Sequence, residues 1–567
     1  MLAITDFLIK QREKNYFWLG MICFVCCATM LAFPLLGIQD GYDISQHIRF
    51  AAAYQEAILN GSFIPVWADS DNLGFGSVGI RFYPPLADYL LAVTQIFTND
   101  WYRSMEINSI FWMFPGCIGV YLWVKEFGSR TEAGFAGMLY AVVPYHVLQI
   151  YDFSLYSEFA ASAILPFSFL FATKLVKGDN KWDIVGLAVS SSLLILTHLP
   201  SSLVGLSGLG VYSVLMIDWR SAAKQILKFA FAGVLAVSCS AFYLVRLITE
   251  INFVKHSSAE FSTGFYDHER HFFPLINHFG ETYWLQYIWV IDVVVLLTAA
   301  LILPSLIAVI FAHASKIPGN TRKKVFVALV GTGMFSLFML SSWSAFAWDH
   351  LPFLEKIQFP WRFLSLTSVI AAVSVVLIPA VAKTHFKRFR KPIAYSLTAI
   401  VLCVLFYDFT QTIIMAPHLS RDEFYNTVVN KPADDYCTCW WPTWASKNAF
   451  SDTNKVNAVG RSVDIQNWGS TTKDFTVGPG LSTDVRVATF FYPYWRAYLN
   501  GSQAAVKMDS DGVILIPISG ETVNVHLYFE EPQIEIIARY IAIFSWIAIG
   551  LLFAVNCFRR NFTSSQE

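Results

Sequence analysis

Charge is what this chain has least of. Asp, Glu, Lys and Arg make up 14% of its 567 residues, against roughly a quarter in soluble domains. That scarcity, in a chain so segmented by apolar runs, excludes a large soluble enzyme. The net charge of -1 offers no basic excess for nucleic acid. Cysteine supplies no framework either. Of nine, Cys23, Cys26, Cys27, Cys117, Cys239, Cys403 and Cys557 lie in apolar runs, where simple packing is expected. Cys437 and Cys439 form a C-x-C pair in a polar stretch, which alone separates neither a disulfide from a metal site. A cleavable signal peptide is missing: Lys10, Arg12 and Lys14 precede a long apolar run without a small-residue cleavage site, the pattern of a signal anchor.

What the chain does have is apolar length. Hydrophobic residues reach 55% and aromatics 16%, with Trp and Tyr near the ends of the runs, as in interfacial belts. Runs near 16–38, 105–124, 133–150, 159–176, 183–198, 201–217, 225–247, 286–312, 325–343, 360–382, 393–413 and 536–557 read as about twelve spans by the length rule. The basic clusters, from Lys10/Arg12/Lys14 through Lys125/Arg130 and Lys316/Arg322 to Arg559/Arg560, then share one side, the cytoplasm. This path requires that Pro84–Thr98, which starts Pro-Pro and carries Asp88, dips into the interface instead of spanning.

The expected fold is an α-helical polytopic membrane protein with a smaller outside β domain near the C-terminus. Residues 1–413 form the membrane module, with a first outside loop at 39–104 holding a helix near 43–59. Residues 414–535 read as a small β-sandwich. Val485, Val487, Thr489 and Phe491 alternate, as do Val523, Val525, Leu527 and Phe529, and turn signals such as Asn500-Gly501 separate the runs. Residues 536–567 are the last span and a short cytoplasmic tail.

Ionisable groups at a membrane boundary are functional candidates, because burying them is costly. Asp43 and His47 are four apart, so a helix puts them on one face. They read as a general base with an orienter or ligand, or as a helix cap, since Asp43 with Gln46 has capping-box spacing. Asp40 is a second carboxylate just ahead. Asp152 and Glu158 bracket the start of a later span on the same side, as functional acids or as helix-start acids. His198 stands at a span end, as a site residue or a satisfied structural one. Arg362, in Gln358-Phe359-Pro360-Trp361-Arg362-Phe363, and Arg81, in Ile80-Arg81-Phe82-Tyr83-Pro84-Pro85, each present a fork-shaped cation suited to phosphate, or one that snorkels to the interface.

Several motifs carry a resemblance: Gly41-Tyr42-Asp43-Ile44 with His47 and Arg49, Gly61 to Pro65 with Trp67, Phe82-Tyr83-Pro84-Pro85-Leu86, Glu158 with Pro166, Leu196-Thr197-His198, Gln358 to Leu364, and Tyr492-Pro493-Tyr494-Trp495 with Asn500-Gly501. Together they resemble the GT-C superfamily of membrane glycosyltransferases. More closely, the chain resembles a bacterial family of membrane proteins labelled 6-pyruvoyl-tetrahydropterin synthase-related. An arginine that the resemblance leads one to expect shortly before Glu158 is absent; Leu155 and Tyr156 stand there.

The resemblance implies a polyprenyl-phosphate-sugar donor, an acceptor glycan, lipid or protein, and an inverting transfer at the outer face of the bacterial cytoplasmic membrane. Asp43 matches the catalytic carboxylate, with Asp40 in reserve. Arg362, Arg81 or Arg270 would meet the charge of the leaving phosphate. Some relatives use a divalent cation, Mg or Mn, for which Asp43, Asp152 and Glu158 are the candidate ligands. Two rivals remain at this level. One is a transporter or flippase of envelope glycans, given the span number. The other is a non-catalytic assembly protein whose aromatic run Trp440-Trp441-Pro442-Thr443-Trp444 stacks on glycan.

Overall fold

A computed structural model describes residues 2–39, 41, 43–258, 261, 263–275, 285–313, 320–375, 378, 390–415, 418–430 and 438–564. Among them, ten helices are long and apolar enough to cross a membrane: Asn15–Leu36, Trp101–Val124, Arg130–Asp152, Tyr156–Lys177, Leu199–Met216, Trp219–Cys239, Ile288–Ile307, Arg322–Leu340, Tyr395–Thr412 and Gln533–Asn556. Two other runs read as spans form shorter described helices, Lys181–Thr197 and Pro360–Val375. Leu86–Thr98 has 13 residues, about 20 Å of helix, well short of a hydrocarbon core. The run 225–247 is not one continuous helix: it breaks at Ser240, whose ψ of 5° leaves the helical ladder, and a separate helix, Ala241–Glu250, follows.

Local chemistry sets the helix ends. Asp100 accepts from the Tyr102 and Arg103 amides to start Trp101–Val124. Ser129 and Glu132 form a reciprocal capping box ahead of Arg130–Ala141, satisfying two otherwise orphaned groups.

The chain divides into two compact units. The first comprises Met1–Ile44, Asp100–Ala236 and Gly264–Tyr425. Its helices pack closely where side chains are small. A Cβ on Gly116 would sit 3.1 Å from the Ala163 backbone, the close approach that small residues permit. Buried hydrogen bonds run through the same packing: Trp123 Nε1 donates to Thr173 Oγ1 at 2.8 Å, and that hydroxyl also meets Tyr212 Oη at 2.8 Å. Ile38–Gln39 pairs antiparallel with His418–Leu419, which pins the chain where it leaves the first span.

The second unit comprises Ser45–Asn99, Val237–Thr263 and Asn426–Glu567. It holds two antiparallel sheets. One runs in the order Val456–Asn457, Thr483–Phe490, Val513–Ile518, Lys507–Met508; the other in the order Val463–Trp468, Thr472–Val477, Val523–Phe529, Trp495–Leu499, Ser502–Ala504. Along Val523–Phe529 the inward positions Val523, Val525, Leu527 and Phe529 are buried and Asn524 and His526 exposed, the period-two pattern of a half-buried strand. The core between the strands also takes in Val66, Trp67, Phe75, Val78 and Phe82 from the segment Ser45–Asn99 of the same unit. Trp67 meets Trp495 edge-on at 5.3 Å. Lys473, whose side chain is fully buried, pairs with Asp69 and lies 4.5 Å from the Trp468 ring. The tryptophans read as a glycan platform are spent on this packing: Trp441 is buried, and Trp440 and Trp444 lie against the same core. Cys439 is disulfide-bonded, and Cys437 lies outside the described residues.

Candidate active site

In the first unit, Glu158 occupies the first turn of Tyr156–Lys177 and Arg362 the short turn Pro360–Phe363 that leads into Leu364–Val375. Both are buried. Arg362 Nε and Glu158 Oε2 face each other at 3.3 Å, a loose ion pair, since neither atom makes an aligned hydrogen bond. Glu158 Oε1 accepts from the Tyr145 hydroxyl and from Gln149 Nε2 at 3.4 Å. Arg362 Nη1 donates to Ile357 O at 2.8 Å and to Gln358 Oε1 at 3.1 Å. The Phe359 and Trp361 rings lie 5.1 and 5.8 Å from the guanidinium. Among the described residues Nη2 has no hydrogen-bond partner. The cation that faces Glu158 thus comes from a residue 204 positions further on (362 − 158).

Asp43 belongs to the same unit as this pair. It is half-buried, lies within electrostatic reach of Glu158, and makes no hydrogen bond among the described residues. Gln46 Oε1 is buried without a partner, so neither side chain is used up in a reciprocal cap. Two residues before Asp43 the chain packs against Ser154 at Gly41, where a Cβ would overlap the Ser154 side chain. Ser154 Oγ also donates to Gln39 O at 3.3 Å. Ser154 (φ 51°) and Gln358 (φ 66°) are both in the left-handed region, strain of the kind that clusters at functional sites.

The other residues singled out lie elsewhere. Asp152 ends a π-helical turn, Leu148–Asp152. Of the three acids proposed as cation ligands, Glu158 is turned to Arg362. Among the described residues no three His, Cys, Asp or Glu side chains are placed to hold a metal ion. Arg81 is a correction too. Its side chain is fully buried and donates to Glu250 at 2.7 and 3.1 Å and to Glu535 at 2.7 and 2.8 Å, so its charge is matched by carboxylates instead of open to a phosphate. His47, buried in the second unit, meets Asp88 Oδ1 through Nδ1 at 2.8 Å and Tyr83 edge-on at 5.5 Å. Arg270 is exposed. His198 caps Leu199–Met216, with Nδ1 2.7 Å from Ser201 Oγ. Asp40 lies outside the described residues.

Sequence reasoning missed Tyr145 and Gln149, which bond Glu158. The available signal was a polar side chain inside an apolar run.

His271 backs the Arg362 turn. Its Nε2 donates to Phe265 O at 2.6 Å and its ring lies 4.6 Å from Phe359. Burial pushes its pKa down to about 4, against the pull of the Phe265 hydrogen bond. The folded state therefore holds fewer protons than the unfolded state between about pH 4 and 6.5. Stability is full at neutral pH and falls as pH drops through that window, by about 3 kcal/mol in all. Thermal midpoints measured from pH 7 to 4.5 should show the fall, and His271→Asn should flatten it. An equally steep fall in the variant would assign it to other groups.

The helices, the embedded ionisable groups and the β sheets define a multi-pass membrane protein with a substantial β region. A family model described as "6-pyruvoyl-tetrahydropterin synthase related domain; membrane protein" matches residues 80–414, more than half of the chain, and the protein belongs to that family. No curated protein matches. Among solved structures the chain is similar to the apo oligosaccharyltransferase of Archaeoglobus fulgidus, with 12% identity and a TM-score of 0.44, over 74% of this chain and 60% of that one. It is similar to ArnT from Cupriavidus metallidurans bound to undecaprenyl phosphate, with 11% identity and a TM-score of 0.43, over 72% and 67%. It is also similar to the arabinosyltransferase EmbB of Mycobacterium smegmatis, with 10% identity and a TM-score of 0.37, over 90% and 63%. The match thus spans about 60% of the length of the oligosaccharyltransferase. At these identities no residue here takes a role from them.

Proposed function

We propose that this protein is a GT-C-type glycosyltransferase that moves a sugar from a polyprenyl-phosphate donor to an acceptor hydroxyl, with inversion, at the outer face of the bacterial cytoplasmic membrane. Both termini are cytoplasmic in this reading. Residues 1–413 carry the reaction, 414–535 form the outside β domain and 536–567 the last anchor. The observation that carries the proposal is the Glu158–Arg362 pair with Asp43 in electrostatic reach of Glu158, at the ends of apolar segments in one unit. A polyprenyl tail stays in lipid while its phosphate stays at the boundary, so its enzyme needs a base and a fixed cation there.

Asp43 takes the proton from the acceptor hydroxyl as that oxygen attacks the anomeric carbon from the face opposite the phosphate. The polyprenyl phosphate leaves without needing a strong acid, being a weak base already. Arg362 meets the charge that grows on it, through the Nη2 edge. Glu158 acts through Arg362, as a positioning residue: with Ile357 O and Gln358 it fixes the plane of the guanidinium. No step is routed through a metal, since among the described residues the acids proposed for one are not grouped.

Membranes containing the protein, given radiolabelled polyprenyl-phosphate sugars and an envelope extract as acceptor, should yield labelled glycan or glycolipid. Arg362→Lys keeps a charge but loses the fork, and turnover should fall about 100-fold at unchanged protein level. Transfer at the wild-type rate in that variant would remove Arg362 from the site. Sugar uptake into vesicles without any new glycosidic product would favour the transporter reading.

A further inference from the structure

The transfer chemistry leaves one surface of the first unit unused. It belongs to the connection 341–359, between the span Arg322–Leu340 and the helix Pro360–Val375. Four large apolar side chains on it face outward: Trp343 is 81% exposed, Phe346 63%, Phe353 45% and Leu351 42%. Ser344, Trp348, Leu354 and Ile357 are buried. The segment is therefore two-sided, although its helices, Ala345–His350 and Pro352–Glu355, have only six and four residues.

Its depth in the membrane follows from the flanking helices. Arg322–Leu340 has 19 residues, about 28 Å of helix against a hydrocarbon core of about 30 Å, so Leu340 stands at a bilayer boundary. The chain returns at the same level: Ser336 Oγ donates to Phe363 O at 2.9 Å and lies 2.7 Å from Thr367 Oγ1. Trp343 is three residues beyond Leu340, hence within about 11 Å of that boundary. Uncovered Trp, Phe and Leu side chains at this depth meet the zone between headgroups and acyl chains. The backbone suits that zone too, because open amides are what lipid penalises. Here Ser344 N donates to Ser341 O, Leu351 N to Ala347 O, Leu354 N to Leu351 O and Ile357 N to Leu354 O. Asp349, His350, Glu355 and Lys356 are exposed as well and give the segment a polar side for the headgroups.

The geometry points to the connection 341–359 as an interfacial anchor, with Trp343, Phe346, Leu351 and Phe353 inserted among the lipids of one leaflet. Lipid is the occupant, because the patch continues the surface of the span it leaves: Phe346 meets Phe338 of that span at 6.3 Å. The anchor is tied to the Arg362 turn. Trp348 meets Phe363 edge-on at 6.2 Å, and Ile357 O accepts from Arg362 Nη1 at 2.8 Å. Insertion thus holds the guanidinium at headgroup depth, where a lipid-borne phosphate lies. That use of the anchor rests on the transfer reading; the anchor itself does not.

A photoreactive lipid is the probe. Full-length protein is placed in nanodiscs of phosphatidylethanolamine and phosphatidylglycerol that carry a diazirine near the glycerol end of one acyl chain. After irradiation and digestion, mass spectrometry should find lipid adducts between Trp343 and Phe353. The exposed span Gln533–Asn556 serves as the positive control, and the strand Thr483–Phe490 as the negative one. Trp343→Glu combined with Phe353→Glu should cut the adducts on the anchor about tenfold and leave those on Gln533–Asn556 unchanged. Where that variant fails to fold, labelling of the wild-type chain carries the test. Adducts on Gln533–Asn556 with none between Trp343 and Phe353 would overturn the anchor, whether water, a second copy or another protein covers the patch, and whatever the transfer assay reports.

Discussion

Asp43→Asn is expected to lower turnover about 10³-fold, within the range attributed to a positioned general base, while leaving the protein inserted and folded. Both halves of this expectation come from the same observation. Asp43 is half-buried and makes no hydrogen bond among the described residues, so replacing its carboxylate by an amide breaks no structural contact and should shift stability by less than about 0.5 kcal/mol. The amide keeps the shape and loses the basicity. A transfer assay with the polyprenyl-phosphate donor, read beside a thermal unfolding curve of the same preparation, separates the effects. Full turnover in the variant would mean that the base lies elsewhere, and a collapsed unfolding midpoint would mean that Asp43 is structural. Glu158 provides the contrast. It is buried, bonded to Tyr145 and Gln149 and paired with Arg362, so its loss should cost stability as well as rate.

The second large effect concerns stability alone. Arg81→Leu should destabilise the protein by about 3–5 kcal/mol, the usual consequence of removing one partner from a buried ion pair. Arg81 is the only group that bonds both Glu250 and Glu535 among the described contacts. Without it, Glu250 keeps the Tyr492 hydroxyl at 2.6 Å and Glu535 keeps Arg246 at 2.9 Å, leaving two close carboxylates short of a cation. The unfolding midpoint should drop by many degrees. Adding Glu250→Gln to Arg81→Leu should recover part of the loss, because it removes one of the uncompensated charges. A midpoint unchanged by Arg81→Leu would show that the cluster is not holding this unit together. Arg81→Lys should fall between, keeping the charge but not the two-pronged reach.

These residues show where sequence reading reaches and where it stops. The exit of the chain from the first span into Gly41 and Asp43 was legible, because a run of apolar residues followed by acids has few physical meanings. The failure of Pro84–Thr98 to reach spanning length was legible from its Pro-Pro start and Asp88. The alternation in Val523–Phe529 gave the strand and its buried face. By contrast, Arg81 and Arg362 looked alike in sequence: each is an arginine flanked by aromatics and proline beside a membrane helix. The fold gives them different surroundings. Arg81 meets Glu250 and Glu535, 169 and 454 residues on, and is fully enclosed. Arg362 meets one carboxylate and, among the described residues, keeps Nη2 without a hydrogen bond.

What the amino-acid order determined alone is what depends on near neighbours: which stretches are apolar long enough to enter a bilayer, which alternate, and which acids sit at their ends. Hydrophobic transfer and backbone hydrogen bonding act over a few residues at a time, so their pattern can be read along the chain. Which acid would meet which cation was decided only by the tertiary structure. An ion pair depends on distance in space, and burial, which decides whether a charge needs a partner at all, is a property of the packed bundle and of no single segment.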